Sequence, residues 1–331
     1  MRILGIESTC DETSAAIVED GKKVLSNIVA SSSLMHQKYG GIVPEVAARE
    51  QIKVIIPTIQ EALLDANTTS AELDAIAIAY GPGLIGSLLI GVETARALAL
   101  AWEKPLIGVN HLVGHIYANW LEPASSVPQF PLVALVVSGG HTDLILMKKM
   151  GQFKWLGGTR DDSAGEAFDK VARVLGLGYP GGPEIEKVAS QSQSGKSTFR
   201  LPRPMIGSGD FDFSFSGIKT AVVNIAGKGN LDVGTISYEF QEAVVDVLVS
   251  KTLKATKKYR GKSIVVGGGV SANGRLREKM ADAGEKNNID VIFPEKRMSI
   301  DNGAMIAAAA FYEKNIVDPL TLRADPGLHF D

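Results

Sequence analysis

Arg2-Ile-Leu-Gly-Ile-Glu-Ser8 and Leu132-Val-Ala-Leu-Val-Val-Ser138 follow one design, and that repetition decides the fold. Each is a short apolar run ending in small residues, the pattern of a buried strand. The first is followed by Ser14–Val18 and, past the turn Glu19-Asp20-Gly21, by Val24–Val29. The second is followed by Gly139-Gly140-His141, then Thr142–Met147 and Phe153–Leu156. Each half therefore opens with three successive strands. The continuation repeats as well. Ala75–Ala79, the turn Tyr80-Gly81-Pro82-Gly83, a helical Leu84–Trp102 and the strand Pro105–Val109 make up the first copy. Ser263–Val266, Gly267-Gly-Gly269-Val-Ser271-Ala-Asn273, a charged helix from Gly274 to Asn287 and the strand Asp290–Phe293 make up the second. Strand, glycine turn, helix, strand is a right-handed crossover between parallel strands.

A duplicated α/β chain of this kind predicts the two-lobe actin-like ATPase (ASKHA) fold, shared by actin, sugar kinases and the ATPases of heat-shock chaperones, with ligand held between the lobes. Fold alone licenses no function. The expected first lobe is 1–128, and the second is 129–331 with an irregular insertion at about 190–217. The last segment, about 300–331, is a candidate to pack back toward the first lobe. Val46–Leu64, Gly165–Leu175 and Ile236–Tyr259 fit further helices.

The 331 residues exceed one ordinary core, and 45% apolar with 21% charged residues is a globular composition. Cys10 is the only cysteine, which fits a reducing compartment. Met1-Arg-Ile-Leu runs straight into a strand pattern, and no apolar run is long enough to span a bilayer. A cytoplasmic protein without a membrane partner is the expectation. The net charge of −3 excludes a strongly basic nucleic-acid binder, but not a local basic face. Lys187, Lys196, Arg200, Arg203 and Lys219 are candidates for one, or else ordinary solvated charges.

His111 and His115 stand four apart in His-Leu-Val-Gly-His, which on a helix places both imidazoles on one face. That geometry suits a divalent metal. A zincin would carry Glu after the first histidine, where this chain has Leu112. Asp301, opening an alanine-rich helix, is either that helix's N-cap or the oxygen ligand of the same metal. Gly81-Pro-Gly83-Leu-Ile-Gly86 matches a dinucleotide fingerprint, but the following strand ends in Asn110 rather than an acid. Gly195-Lys196-Ser197 looks like the end of a P-loop, yet Ser190 replaces its first glycine. Neither is a nucleotide motif.

Asp162, Glu166 and Asp169 are expected near one helical face, either solvated or, for Asp169 beside Tyr179-Pro-Gly-Gly182, facing ligand hydroxyls. Asn273 is a helix N-cap or a base or ribose contact. The helix after it would offer unpaired N–H groups to a phosphate or carboxylate.

Together these residues resemble the bacterial branch of the universal TsaD family. The matching runs are Gly5-Ile-Glu-Ser-Thr-Cys-Asp11-Glu12-Thr, His36-Gln-Lys-Tyr-Gly-Gly-Ile-Val-Pro-Glu45, Gly81-Pro-Gly-Leu-Ile-Gly and His111-x-x-x-His115. Val137-Ser-Gly-Gly-His141-Thr, Asp162-Ser-Ala-Gly-Glu-Ala-Phe-Asp169-Lys, Tyr179-Pro-Gly-Gly-Pro, Phe213-Ser-Phe-Ser-Gly, Gly268-Gly-Val-Ser-Ala-Asn273 and Asp301-Asn complete the series. They run in order over essentially the whole chain.

The resemblance implies a tRNA N6-adenosine threonylcarbamoyltransferase. Such enzymes move the threonylcarbamoyl group from threonylcarbamoyl-AMP to N6 of adenosine 37 in tRNAs that read ANN codons. By the same resemblance His111, His115 and Asp301 hold one divalent metal per subunit, Fe2+ or Zn2+. The substrate-binding positions are Val136, Val137, Ser138, Gly139, Gly140, Asp169, Gly182, Glu186 and Asn273. The partners implied are tRNA, a TsaB-like paralogue and a TsaE-like ATPase. Asp11 or Glu12, at the first turn, is a candidate acceptor of the N6 proton. The rival readings are a metallopeptidase and a nucleotide-binding regulatory ATPase.

Overall fold

The computed structural model of the chain describes residues 1–36, 39, 41–123, 126–192, 199–226 and 232–330. Gln37, Lys38 and Gly40 of the His36 motif, Lys196 and the whole Gly195-Lys196-Ser197 run lie outside the described residues. The chain forms two compact units, Met1–Val127 with Pro294–Asp331, and Pro128–Phe293.

The first unit begins with β1 (Arg2–Glu7), β2 (Glu12–Glu19) and β3 (Lys23–Ser31), each antiparallel to the next. Then follow α1 (Ser33–His36), α2 (Pro44–Asp65), β4 (Ala75–Gly81), α3 (Ile85–Ala101), β5 (Leu106–Asn110) and α4 (His111–Tyr117). β4 lies parallel to both β1 and β5, giving the order β5-β4-β1-β2-β3. β1 and β4 do not alternate between apolar and polar residues, because almost every residue in them is buried. Such strands have both faces covered.

The second unit repeats the plan. β6 (Leu132–Val137), β7 (Thr142–Lys149) and β8 (Gln152–Gly158) form the antiparallel opening. Four helices follow, namely α5 (Ala164–Val174), α6 (Gly181–Gln191), α7 (Ser216–Ala226) and α8 (Val233–Tyr259). β9 (Ser263–Gly267) then lies parallel to β6, and α9 (Gly274–Glu285) leads to β10 (Asp290–Ile292), parallel to β9. The aromatic centre of this core is Phe168, Phe213, Phe215 and Phe240, with Phe168 and Phe240 edge to face at 5.0 Å between centroids.

Within Ser190–Gly217 the described residues are 190–192 and 199–217. They include the end of α6 and the start of α7, and among them Leu201, Phe211, Phe213 and Phe215 are buried in the core. Phe213 also exchanges backbone hydrogen bonds with the end of β8, receiving one from the Arg160 amide and donating one to the Gly158 carbonyl.

Pro294–Asp331 completes the first unit with α10 (Lys296–Ser299), α11 (Gly303–Glu313) and β11 (Ile316–Val317), which adds antiparallel to the edge of β5. The alanines of α11 permit close packing on β1, and Gly303 to Ala310 are all buried. A Cβ on Gly303 would sit 2.5 Å from the carbonyl oxygen of Gly5. Here the absence of a side chain is a packing requirement.

Candidate metal centre and ligand loops

α4 begins at the C-terminal end of β5, and the Asn110 side chain caps it by accepting from the Leu112 amide. This start fixes His111 in the first turn and His115 one turn later on the same face, with ring centroids 4.7 Å apart. Across from them is Asp301, whose Oδ1 lies 3.2 Å from His115 Nε2 and 3.7 Å from His111 Nε2. One donor atom from each of the three residues falls within 4.8 Å of the others.

The cap of α11 is Asn302, not Asp301. Its side chain accepts from the Met305 amide at 3.0 Å. Asp301 therefore precedes the helix, and its carboxylate is turned to the imidazoles instead. Gly303 is tied to β2 through the Ser14 hydroxyl at 2.9 Å, and Gly114 of α4 packs on Ile306 and Met305 of α11. These contacts hold residues 111 and 301 together.

Sequence reasoning missed Glu7, which sits at the end of β1. Its Oε2 is 3.0 Å from His111 Nδ1, and its Oε1 accepts from the Thr9 amide at 2.6 Å. A carboxylate there favours the tautomer with the proton on Nδ1, leaving Nε2 of His111 free to ligate. Burial opposes charge on His111, but Glu7 and then Asp301 outweigh it and raise its pKa to about 9. His115 goes the other way, its pKa lowered chiefly by burial.

The contact from Asp301 to His115 Nε2 is short but misaligned for a hydrogen bond. Neither nitrogen of the fully buried His115 ring has a hydrogen-bond partner. Two orphaned nitrogens in a dry site are costly unless a further group satisfies them. Two imidazoles and one carboxylate around a shared point fit a divalent cation.

Asp11 in the turn after β1 and Glu12 at the start of β2 are held from every side. The Gln51 amide donates to the carbonyls of Ser8, Cys10 and Glu12, Ser87 donates to Cys10, and Ser32 donates to Asp11. Asp11 lines a cavity of about 160 Å³ together with Thr13, Ser31, Ser32, Met35 and Glu50. Burial, then the neighbouring Asp11 and Asp301, push the Glu12 carboxyl well above the usual carboxylate range. Both carboxylates stand close enough to this turn to be candidate proton acceptors. Burial also pushes the Cys10 thiol up, so it is no activated nucleophile.

The Gly81-Pro-Gly83 turn is filled by protein. A Cβ on Gly81 would lie 1.9 Å from the carbonyl oxygen of Asp325, and one on Gly83 would lie 2.6 Å from that of Thr9. These glycines serve packing.

In the second unit the ends of β6 and β9 lie side by side. Gly268 has φ +91°, and a Cβ on it would meet the Val137 carbonyl oxygen at 2.4 Å. Val136 and Val137 are wholly buried. Ser138 closes the turn, its hydroxyl accepting from the His141 amide and its own amide donating to the His141 carbonyl. Gly139, Gly140 and Gly182 each have open space where a side chain would be, so a ligand can reach their main chain.

Asp169 accepts from the Gly181 amide at 2.7 Å and so braces the loop that carries Gly182. The expected shared face of Asp162, Glu166 and Asp169 does not form. Ser163 is the N-cap of α5, so Asp162 precedes the helix and joins Glu166 on Lys170.

Asn273 is the N-cap of α9, accepting from the Leu276 amide, and its NH₂ donates to Gln241 and Glu186. Glu186 also accepts from the Gly274 amide at 2.8 Å. The start of α9, expected to hold a ligand anion, thus already holds the carboxylate of Glu186. Of the basic candidates, Arg203 is turned inward onto Asp246 and Glu239.

Comparison with known proteins adds the family context. The profile of the TsaD family, tRNA N6-adenosine threonylcarbamoyltransferase, matches residues 23–308. The enzyme of that name from Clostridium novyi (strain NT) is 50% identical over 99% of this chain and 97% of its own. Its counterpart from Staphylococcus saprophyticus is 49% identical over 94% of this chain and 90% of its own. Among solved structures, T. kodakarensis HypF superposes with TM-score 0.64 at 12% identity, covering 94% of this chain and 47% of that one. The (R)-2-hydroxyglutaryl-CoA dehydratase component A of Acidaminococcus fermentans gives 0.55 at 16% identity, covering 95% and 99%. At those identities the likeness is one of fold, the actin-like ATPase fold that the duplicated pattern predicts.

Proposed function

The chain belongs to the tRNA N6-adenosine threonylcarbamoyltransferase family, and from that premise we propose how its own residues carry out the transfer. It moves the threonylcarbamoyl group of threonylcarbamoyl-AMP to N6 of adenosine 37 in tRNAs reading ANN codons, giving t6A. The carbamoyl carbon bonds to N6 while its bond to the phosphate oxygen breaks. AMP leaves with that electron pair, and N6 gives up a proton. A carbamoyl phosphate anhydride is already activated, so the protein's task is positioning and charge stabilisation.

The observation that carries the site assignment is the buried His115 ring with no hydrogen bond at either nitrogen, beside His111 and Asp301. These three residues would hold a divalent metal, Fe2+ or Zn2+, with Glu7 orienting His111. Such a cation supplies a Lewis acid for developing charge on oxygen. Asp11, which lines the cavity at this turn, would accept the N6 proton, with Glu12 beside it. The open main chain at Gly139, Gly140 and Gly182 would take the adenylate, with Asp169, Glu186 and Asn273 shaping that floor. Val136 to Ser138 would contribute through their backbone. A peptidase reading finds Leu112 fully buried where a general base is needed.

The family resemblance supports a TsaB-like paralogue and a TsaE-like ATPase as partners. α2 and α3 leave Ile52, Ile56, Ile85 and Leu89 between 44% and 67% exposed, an apolar face that suits docking of a paralogue of the same fold. A cytoplasmic setting fits a tRNA substrate, and no helix among the described residues is long and apolar enough to cross a membrane. The test is nucleoside mass analysis after incubation of the reconstituted protein with tRNA and threonylcarbamoyl-AMP. The expected product is t6A, and its absence with metal and partners supplied would overturn the reading.

A further inference from the structure

Far from the glycine loops, the second unit carries a surface of concentrated positive charge. The C-terminal part of α8 and the residues after it present Lys254, Lys257, Lys258, Arg260 and Lys262, and the β7–β8 hairpin presents Lys148, Lys149 and Lys154, all exposed. Contacts join the two groups. Lys154 of the hairpin lies 6.0 Å from the ring centroid of Tyr259, the last residue of α8. Lys262 donates through its amide to Pro131, next to Leu132, which pairs with Met147 just before Lys148. Eight of the 34 lysines and arginines of a chain whose net charge is −3 thus share one edge.

Among the described residues none of the eight pairs with a carboxylate. Asp290, at the start of β10 opposite Ser263, is an acid at this edge, and Asp143 is buried beneath Trp155, whose indole N–H it accepts. Lys257 and Lys258 also favour the negative end of the α8 dipole. That role needs neither the hairpin lysines nor Lys262. The Trp155 ring, 42% exposed among these cations, adds a flat surface of the kind on which bases stack.

We infer that this edge binds the phosphate backbone of the tRNA, away from the nucleotide that reacts. The inference rests on the transferase reading, which supplies a polyanion far larger than the site. β6 runs six residues from this edge to the Val137–Gly140 turn, about 20 Å at 3.3 Å per residue, a distance that the long axis of a tRNA exceeds. The insertion favoured by sequence alone is the weaker face, since Arg203 is already paired.

The test compares the wild-type chain with the variant Lys149→Gln, Lys154→Gln, Lys258→Gln, Lys262→Gln. Labelled tRNA is titrated by anisotropy from 50 to 300 mM KCl, and vesicles rich in phosphatidylglycerol serve as a second arm. All four side chains are exposed, so an unchanged Tm is the control. The expected result is at least a tenfold loss of tRNA affinity at about 100 mM salt and a log–log salt slope shallower by about 3, near one per lost phosphate contact. Wild-type affinity and slope in the variant would overturn the inference and leave the transferase reading standing. Failure of the wild-type chain, with its partner subunits present, to bind tRNA would overturn both. Loss of vesicle binding with tRNA binding intact would assign the edge to a membrane and overturn the inference.

Discussion

Gly5 of β1 and Gly303 of α11 touch backbone to backbone, and Asp301 stands two residues before the second of them. A Cβ on Gly5 would lie 2.1 Å from the Gly303 carbonyl oxygen. The carboxylate beside the histidines is therefore placed by a contact that only two glycines allow. Gly303→Ala should destabilise the protein by about 1–3 kcal/mol through overpacking and lower the metal content as Asp301 is pushed away. Melting curves and metal analysis check this. An alanine variant with wild-type metal content would separate the packing contact from the site.

Neighbouring residues 301 and 302 should fail in different ways. Asp301→Asn should lose metal and transfer with little change in Tm. Asn302→Ala should lose about 1 kcal/mol with its cap and keep its metal. Matching behaviour in both assays would mean that the cap and the carboxylate act as one unit. His111→Ala and His115→Ala should follow Asp301→Asn.

Glu7→Gln tests the support behind the ligands. Metal affinity should drop about 10–100-fold, as when other carboxylates behind a ligating histidine are removed. The three donor side chains remain, so saturating metal should restore activity. A loss that excess metal does not rescue would give Glu7 a different role.

Glu12 sets a pH dependence. Its folded-state pKa is raised by burial and by Asp11 and Asp301, so the folded protein binds its proton more tightly than the unfolded chain. This contribution to stability is full below the unfolded value of about 4.3 and is lost as pH rises toward the folded value. Glu12→Gln, which imitates the neutral form, should raise Tm relative to wild type by an amount that grows as pH rises. Transfer should survive it, whereas Asp11→Asn should abolish transfer. A Tm difference that does not grow with pH would show that Glu12 is already ionised in the fold.

The strands and long helices were legible because their periodicity is local. Thr142–Met147 and Leu84–Trp102 match the observed β7 and α3 to within two residues. α6 was not legible, since it opens with Gly181-Gly182-Pro183, which reads as a turn. α7 opens with Ser216-Gly217 and carries several β-branched residues, so its helical signal is weak. At the site, His111 and His115 announce themselves by spacing. Asp301 does not, because it and Asn302 are equally good caps by residue type. Glu7 meets its partner 104 residues away, and Arg203 is neutralised by acids of α8 that local sequence cannot reveal. Long-range pairing of this kind is settled only by the tertiary fold.

Pro294–Asp331 closes the first unit after the whole of the second has been threaded through the chain. Domains generally fold in the order in which the ribosome releases them, and here that order is broken. When Val127 emerges, β5 has a bare edge, the face of β1 at Gly5 is uncovered, and the two histidines lack Asp301 opposite. Pro128–Phe293 is contiguous and can fold while its predecessor waits. The cluster of His111, His115 and Asp301 is then among the last features assembled during synthesis, so a truncated or stalled chain carries both histidines yet cannot form it.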